Sequence, residues 1–164
     1  MTPQNTILDL ATPTTLDSGD GNSVTVGVKF TASANGSVTG IRFYKALANT
    51  GSHVGDLWTS SGTVLASATF TSETATGWQQ VNFATPVAIT AGTTYVAGYF
   101  APKGHYSSTA SAFSSGGITN GPLQALPNST SVNGVYIYNA RMMFPTTTYS
   151  ASNYWVDLLF SPGS

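Results

Sequence analysis

The sequence predicts an all-β fold: a two-sheet antiparallel β-sandwich, jelly-roll-like in strand spacing. Three observations predict it. Apolar and polar residues alternate with a period of two in short runs, tight-turn residues separate the runs, and no window of about 11 residues carries a helical apolar stripe. Val24, Val26, Val28 and Phe30 alternate with Thr25, Gly27 and Lys29. Ile41 and Phe43 alternate with Arg42 and Tyr44, and Val64, Ala66, Ala68 and Phe70 form another register. Val81 and Phe83 alternate with Gln80 and Asn82. Residues 95–100 are apolar on both faces, which marks a central strand. Tyr154, Val156, Leu158 and Phe160 close the chain. Turn signals stand between the runs at Asn35-Gly36, Ser61-Gly62, Thr76-Gly77, Ala91-Gly92 and Asn133-Gly134. Residues 101–134, rich in Ser, Gly, Asn and Pro, read as loops over one edge of the sandwich.

The chain has 164 residues, which suits one domain with a core at about 6–160. The Ser161-Pro162-Gly163-Ser164 end reads as a linker, and Met1 as the start of a domain excised from a larger parent. A hydrophobic fraction of 41% supports a core, and an aromatic fraction of 12% argues against disorder. Only 7% of residues are charged and the net charge is −1. Five Lys and Arg in all build no basic patch, so nucleic acid is not an expected partner. No apolar run approaches the ~20 residues of a membrane-spanning helix. Cysteine is absent, which excludes disulfides and thiolate chemistry. A charge-poor chain rich in Thr, Ser, Asn and Gly has the composition of a secreted or cell-surface module.

Several motifs resemble a bacterial extracellular β-sandwich domain family of unassigned function. They are Thr39-Gly40-Ile41-Arg42-Phe43-Tyr44-Lys45, residues 49–58 (NTGSHVGDLW), 62–70 (GTVLASATF) and 77–83 (GWQQVNF), followed by 86–95 (PVAITAGTTY), Gly104-His105-Tyr106 and 153–160 (NYWVDLLF). The resemblance spans residues 6–160. It implies a secreted module beside other domains of a large parent protein, and it supplies no catalytic residues.

The residues themselves offer several candidate sites. Six carboxylates and two histidines leave little from which to assemble an acid–base pair or a nucleophilic triad, and no Gly-x-Ser-x-Gly elbow occurs. His53 and His105 each lie in a Gly-flanked loop, suited either to a shared metal or sugar site or to ordinary backbone bonding. Asp17-Ser18-Gly19-Asp20-Gly21-Asn22 clusters oxygen ligands as calcium loops do, and equally reads as a plain Asx turn. By analogy, Asp157 on the last strand is the acid that completes a calcium set of Asp17, Asp20 and Asn22.

The aromatics are the strongest hint. Trp78 shares a face with Gln80 and Asn82, Trp58 with Asp56 and Ser60, and Trp155 with Asp157; Tyr136 and Tyr138 oppose Val135 and Ile137. Large rings in the polar register are expected to stack on pyranose rings in solvent.

The leading expectation is therefore a non-catalytic carbohydrate-binding module. Its glycan would be held by Trp58, His53, His105, Tyr106 and Trp78 and oriented by Lys45 and Asn49. The alternatives are a structural spacer or adhesion module, in which Lys29 or Lys45 forms a Lys–Asn crosslink, and a metal-dependent enzyme using His53 and His105.

Overall fold

The computed structural model describes residues 4–163. Met1, Thr2, Pro3 and Ser164, on which the excised start and the end of the linker fall, lie outside the described residues. Eleven strands follow in order: β1 (Val24–Ala32), β2 (Gly36–Lys45), β3 (Val54–Thr59), β4 (Val64–Thr69), β5 (Gly77–Ile89), β6 (Tyr95–Ala101), β7 (Ile118–Asn120), β8 (Leu123–Ala125), β9 (Val135–Tyr138), β10 (Thr147–Thr148) and β11 (Val156–Pro162). Ser161 and Pro162, linker-like in composition, thus continue the last strand, and Gly163 N donates to Asn35 O.

The strands form two antiparallel sheets. The large sheet runs β10-β9-β1-β6-β3-β4, with the β7–β8 hairpin on the far half of β1; the small sheet runs β11-β2-β5. The predicted sandwich is the observed one. β6 lies between β1 and β3 and is buried at all seven positions, as its two-sided apolar pattern requires. Beyond Ala101, which ends β6, residues 102–134 are loops except for the β7–β8 hairpin, which their irregular composition conceals.

Alternation places Phe30, Ile41, Phe43, Leu57, Leu158 and Phe160 between the sheets, and Tyr99 joins them. Phe43 stacks on Tyr99 with ring centroids 4.1 Å apart and an interplanar angle of 15°. Burying side chains of this size is worth about 1.5–3 kcal/mol each, so this layer is the main source of stability.

The outer faces are covered too. Residues 7–11 cross the small sheet. There Asp157 accepts hydrogen bonds from Ile7 N (2.8 Å), Leu8 N (2.9 Å), Leu158 N (2.7 Å) and both Nε (3.0 Å) and Nη2 (2.7 Å) of Arg42. Arg42 also donates to Asp9 O, and its guanidinium lies 3.8 Å from the centre of the Trp78 ring. Residues 142–145 cross the large sheet and pack Met142 and Phe144 on Trp58, Val96 and Val135. Trp58 seats closely because Gly98 beside it has no side chain; a Cβ there would stand 2.8 Å from the indole.

Asp56 lies in the same outer register, 5% exposed, with Oδ1 unpartnered. Burial pushes its carboxyl above the usual carboxylate range, and a hydrogen bond with Ser67 only partly opposes this.

Two stability predictions follow from the covered faces. Asp157→Ala strands the Arg42 charge and three amides, so urea unfolding should show a loss of about 3–5 kcal/mol. Asp56→Asn removes a buried charge. The wild-type carboxyl is raised, so the fold is penalised as pH climbs through the ordinary carboxyl range. The variant should be more stable at pH 7 by about 1 kcal/mol, or about 2–4 °C in Tm, and this advantage should vanish in acid.

Candidate functional site

The large sheet is wider than the small one. The small sheet packs over β1, β6, β3 and β4, while β9 and β10 extend the large sheet on the other side of β1. Tyr136 and Tyr138 pair with Val26 and Val24 of β1 and so share the core-facing side. Here loops rather than a strand meet them. Tyr106 comes from the turn after β6, and Tyr149 and Tyr154 from the segment leading into β11. These five tyrosines line a cleft of about 270 Å³. Tyr106 packs edge-to-face on Tyr154 (5.4 Å, 88°), Tyr136 on Tyr154 (6.1 Å, 80°) and Tyr138 on Tyr136 (5.5 Å, 69°). Tyr138 and Tyr149 are 49% and 69% exposed, so the cleft is open to solvent.

Hydrogen bonds fix the rim. Tyr138 donates to Asp20 Oδ2, and Asp20 Oδ1 accepts from the backbone N (3.1 Å) and Nδ2 (2.8 Å) of Asn22. Asp17 Oδ1 accepts from Gly19 N (2.7 Å) and meets His105 Nδ1 at 2.9 Å. His105 N donates to Asp20 O (2.7 Å), docking the turn after β6 on this loop. Gly104 makes the approach possible: its φ is +66° and a Cβ would strike Asp20 O.

Partial burial pushes the Asp20 carboxyl up, but the bonds from Tyr138 and Asn22 outweigh it and hold the group below its ordinary range. The bond from Gly19 lowers Asp17 most; burial raises it, and His105 lowers it further. The phenols shift the other way. Burial raises Tyr106 and Tyr154 most, and the bond to Asp20 raises Tyr138 most. Asp20 at the rim is therefore carboxylate, and Tyr106, Tyr138 and Tyr154 are neutral phenols, at any physiological pH.

Several expected site residues stand elsewhere. Trp58, at 1% exposed, lies under residues 142–145 and is no sugar platform. Trp155 is buried against Tyr44 and Trp78. Trp78 is half-buried, donating Nε1 to Ala11 O at 3.2 Å beneath the N-terminal crossing. The pattern assigns each ring to the outer face correctly but does not show that the face is covered.

His53 is fully buried. Its Nε2 meets Asn49 Oδ1 at 2.7 Å and its Nδ1 meets Glu73 Oε2 at 2.9 Å; Asn49 is itself buried and bonds Tyr99. Burial lowers the His53 pKa more than the Glu73 contacts raise it. Lys45 Nζ lies 3.1 Å from Thr74 O and 3.2 Å from Glu73 Oε1, on the flank of a second cleft that exposes Leu16 and Leu47. His53, Asn49 and Lys45 thus form an internal polar network rather than a ligand site. The two histidines bond different acids and do not converge as an enzyme's metal pair would. Lys29 Nζ bonds Ser131 Oγ (3.0 Å) and Lys45 Nζ meets Glu73, so neither ammonium faces an Asn for crosslinking.

The calcium set does not assemble either. Asp157 is saturated by Arg42 and three amides. Asp17 and Asp20 direct their oxygens at their own loop, His105 and Tyr138. Among the described residues no three acidic or histidine side chains come together. Of the expected set, Tyr106 lines the tyrosine cleft and Asp20 bonds its wall residue Tyr138; Asn22 and His105 bond Asp20, and Asp17 bonds His105 and lines the second cleft. Tyr149 and Tyr154 were not expected there. Their signal was clustering: five of the eight tyrosines follow residue 105.

Comparison with known proteins places the chain. The family model for the domain of unknown function DUF4082 matches residues 10–156. The chain belongs to the DUF4082 family. The sequence matches no curated protein. Among solved structures, this DUF4082 domain is similar to a clostridial cysteine protease, Cwp84, after propeptide cleavage (TM-score 0.52, 13% identity, covering 87% of this chain and 36% of that one). It is also similar to a structure of the cysteine protease and lectin-like domains of Cwp84, a surface-layer-associated protein of Clostridium difficile (TM-score 0.53, 12% identity, covering 87% and 33%). The chain spans about a third of these proteins' length. At such identity the likeness is one of fold.

The rim predicts a titration. Tyr138→Phe removes a donor to Asp20, so the Asp20 carboxyl should titrate higher than in the wild type when followed by carbon-detected NMR. Its folded value is depressed, so its stabilisation is present above the unfolded carboxyl range and lost as pH falls through the folded value. The variant should lose part of that acid-sensitive stability. Calcium or a chelator should leave Tm unchanged in both proteins.

Proposed function

We propose that this domain is a non-catalytic carbohydrate-binding module of a secreted or surface multidomain protein, and that the tyrosine cleft is its binding site. The observation that carries the reading is a solvent-open cleft walled by five tyrosines, with an acceptor carboxylate at its rim. Aromatic walls bury the C–H faces of a sugar, and phenol hydroxyls and Asp20 exchange hydrogen bonds with its hydroxyls. The lectin-like domain named in the Cwp84 structure supports the same class, and the surface-layer association of that protein supports an extracellular setting. The protease chemistry named there has no counterpart here, since the chain has no cysteine. A single shallow cleft gives weak affinity, which linked neighbouring domains in a parent protein would raise.

The test is retention of the purified domain on a panel of insoluble and soluble polysaccharides. Retention on one glycan class is expected. Tyr149→Ala and Tyr138→Ala should each weaken it by about tenfold, ~1.4 kcal/mol, while Trp78→Phe should not. Retention that survives both tyrosine changes would place the site elsewhere, and no retention on any glycan would favour a spacer or adhesion role.

A further inference from the structure

The cleft's walls are of one kind. Among the described residues the lining is five tyrosines, with no Lys or Arg. Neighbouring rings are inclined at 69°, 80° and 88° to one another. Besides offering single ring faces to a sugar, rings set at steep angles around a small volume enclose a compact, rounded group. The face of an aromatic ring carries negative charge density and attracts a cation, more strongly where water is partly excluded. Tyr138 donates its hydroxyl to the Asp20 carboxylate, which polarises the phenol and enriches its ring in electron density.

We propose that the tyrosine cleft is a cage for an alkylammonium group, quaternary or methylated, carried on the recognised glycan. The substrate class is then a polysaccharide bearing cationic substituents such as choline, rather than a plain neutral or acidic one. This deepens the carbohydrate-binding reading and rests on it. Asp20 disfavours uronic or sialic acids at the rim, and the phenol walls reward the cation.

The test compares choline chloride with its neutral analogue, in which carbon replaces the ammonium nitrogen at equal shape. Binding is followed by chemical-shift changes of the tyrosine rings. Choline should bind saturably and at least about tenfold more tightly than the neutral analogue. Asp20→Asn should weaken choline about fivefold and leave the analogue unchanged. Tyr149→Ala, at an exposed position that leaves the core intact, should weaken choline as well. Equal binding of the two compounds, or no tyrosine response, would overturn the cage. Choline-bearing polysaccharide and phosphatidylcholine vesicles form separate arms; capture by the polysaccharide alone supports a glycan source, and capture by vesicles alone overturns it. Retention of uncharged glycans through these tyrosines with no response to choline would sink the cage and leave the carbohydrate reading standing. Choline binding without retention on any polysaccharide would do the reverse.

Discussion

The buried pair of Arg42 and Asp157 is the constraint on which the small sheet's outer face depends. Asp157 lies on the last strand, Arg42 on the central strand of that sheet, and the amides of Ile7 and Leu8 complete the carboxylate's shell. One carboxylate thereby ties together residues separated by about 150 positions. A buried ion pair of this kind contributes less through its attraction than through the penalty for leaving either charge alone. It holds the N-terminal crossing in place, and that crossing covers Trp78 and leaves Arg42 over the indole. The large sheet is closed by apolar packing instead, with Phe144 and Met142 over Trp58.

Covering both outer faces leaves the margin of the large sheet as open aromatic surface. With the inner faces packed together and the outer faces crossed by chain, the aromatic surface left to solvent lies where the large sheet outreaches the small one. There Tyr136 and Tyr138 stand on the core-facing side of β9 but meet loops rather than a strand. The second cleft, beside Leu16 and Leu47, has no comparable aromatic wall. Few charges and no cysteine suit a site that works through rings and hydroxyls.

Much of the fold was legible because alternation survives in the sequence whatever covers the sheet. The registers of β1, β2, β5 and β11 read directly, and the two-sided apolar run of β6 marked the middle of the sheet. The same rule misplaced the tryptophans. A period of two tells which face a ring is on, whereas burial of that face depends on a crossing segment such as Met142 to Pro145, which has no period of its own. Asp157, expected to complete a calcium set, bonds partners that lie far away in sequence, and a charge in the middle of an apolar strand of so charge-poor a chain is itself a sign of an internal pair. Tyr106 and the Asp17 to Asn22 loop both stand out in the sequence, and they meet, with Ser18 N donating to Tyr106 O. Tyr149 and Tyr154 entered the tyrosine cleft through loop geometry that no local pattern encodes.

The central claim is that the rings which meet ligand are tyrosines at the sheet's margin and that the three tryptophans are structural. Fluorine NMR of the domain labelled in turn with fluorotyrosine and fluorotryptophan, recorded with and without each polysaccharide of a panel, tests it most directly. The account predicts that a bound glycan shifts the Tyr138 and Tyr149 signals and leaves those of Trp58, Trp78 and Trp155 in place. Shifts confined to the tryptophans would contradict it.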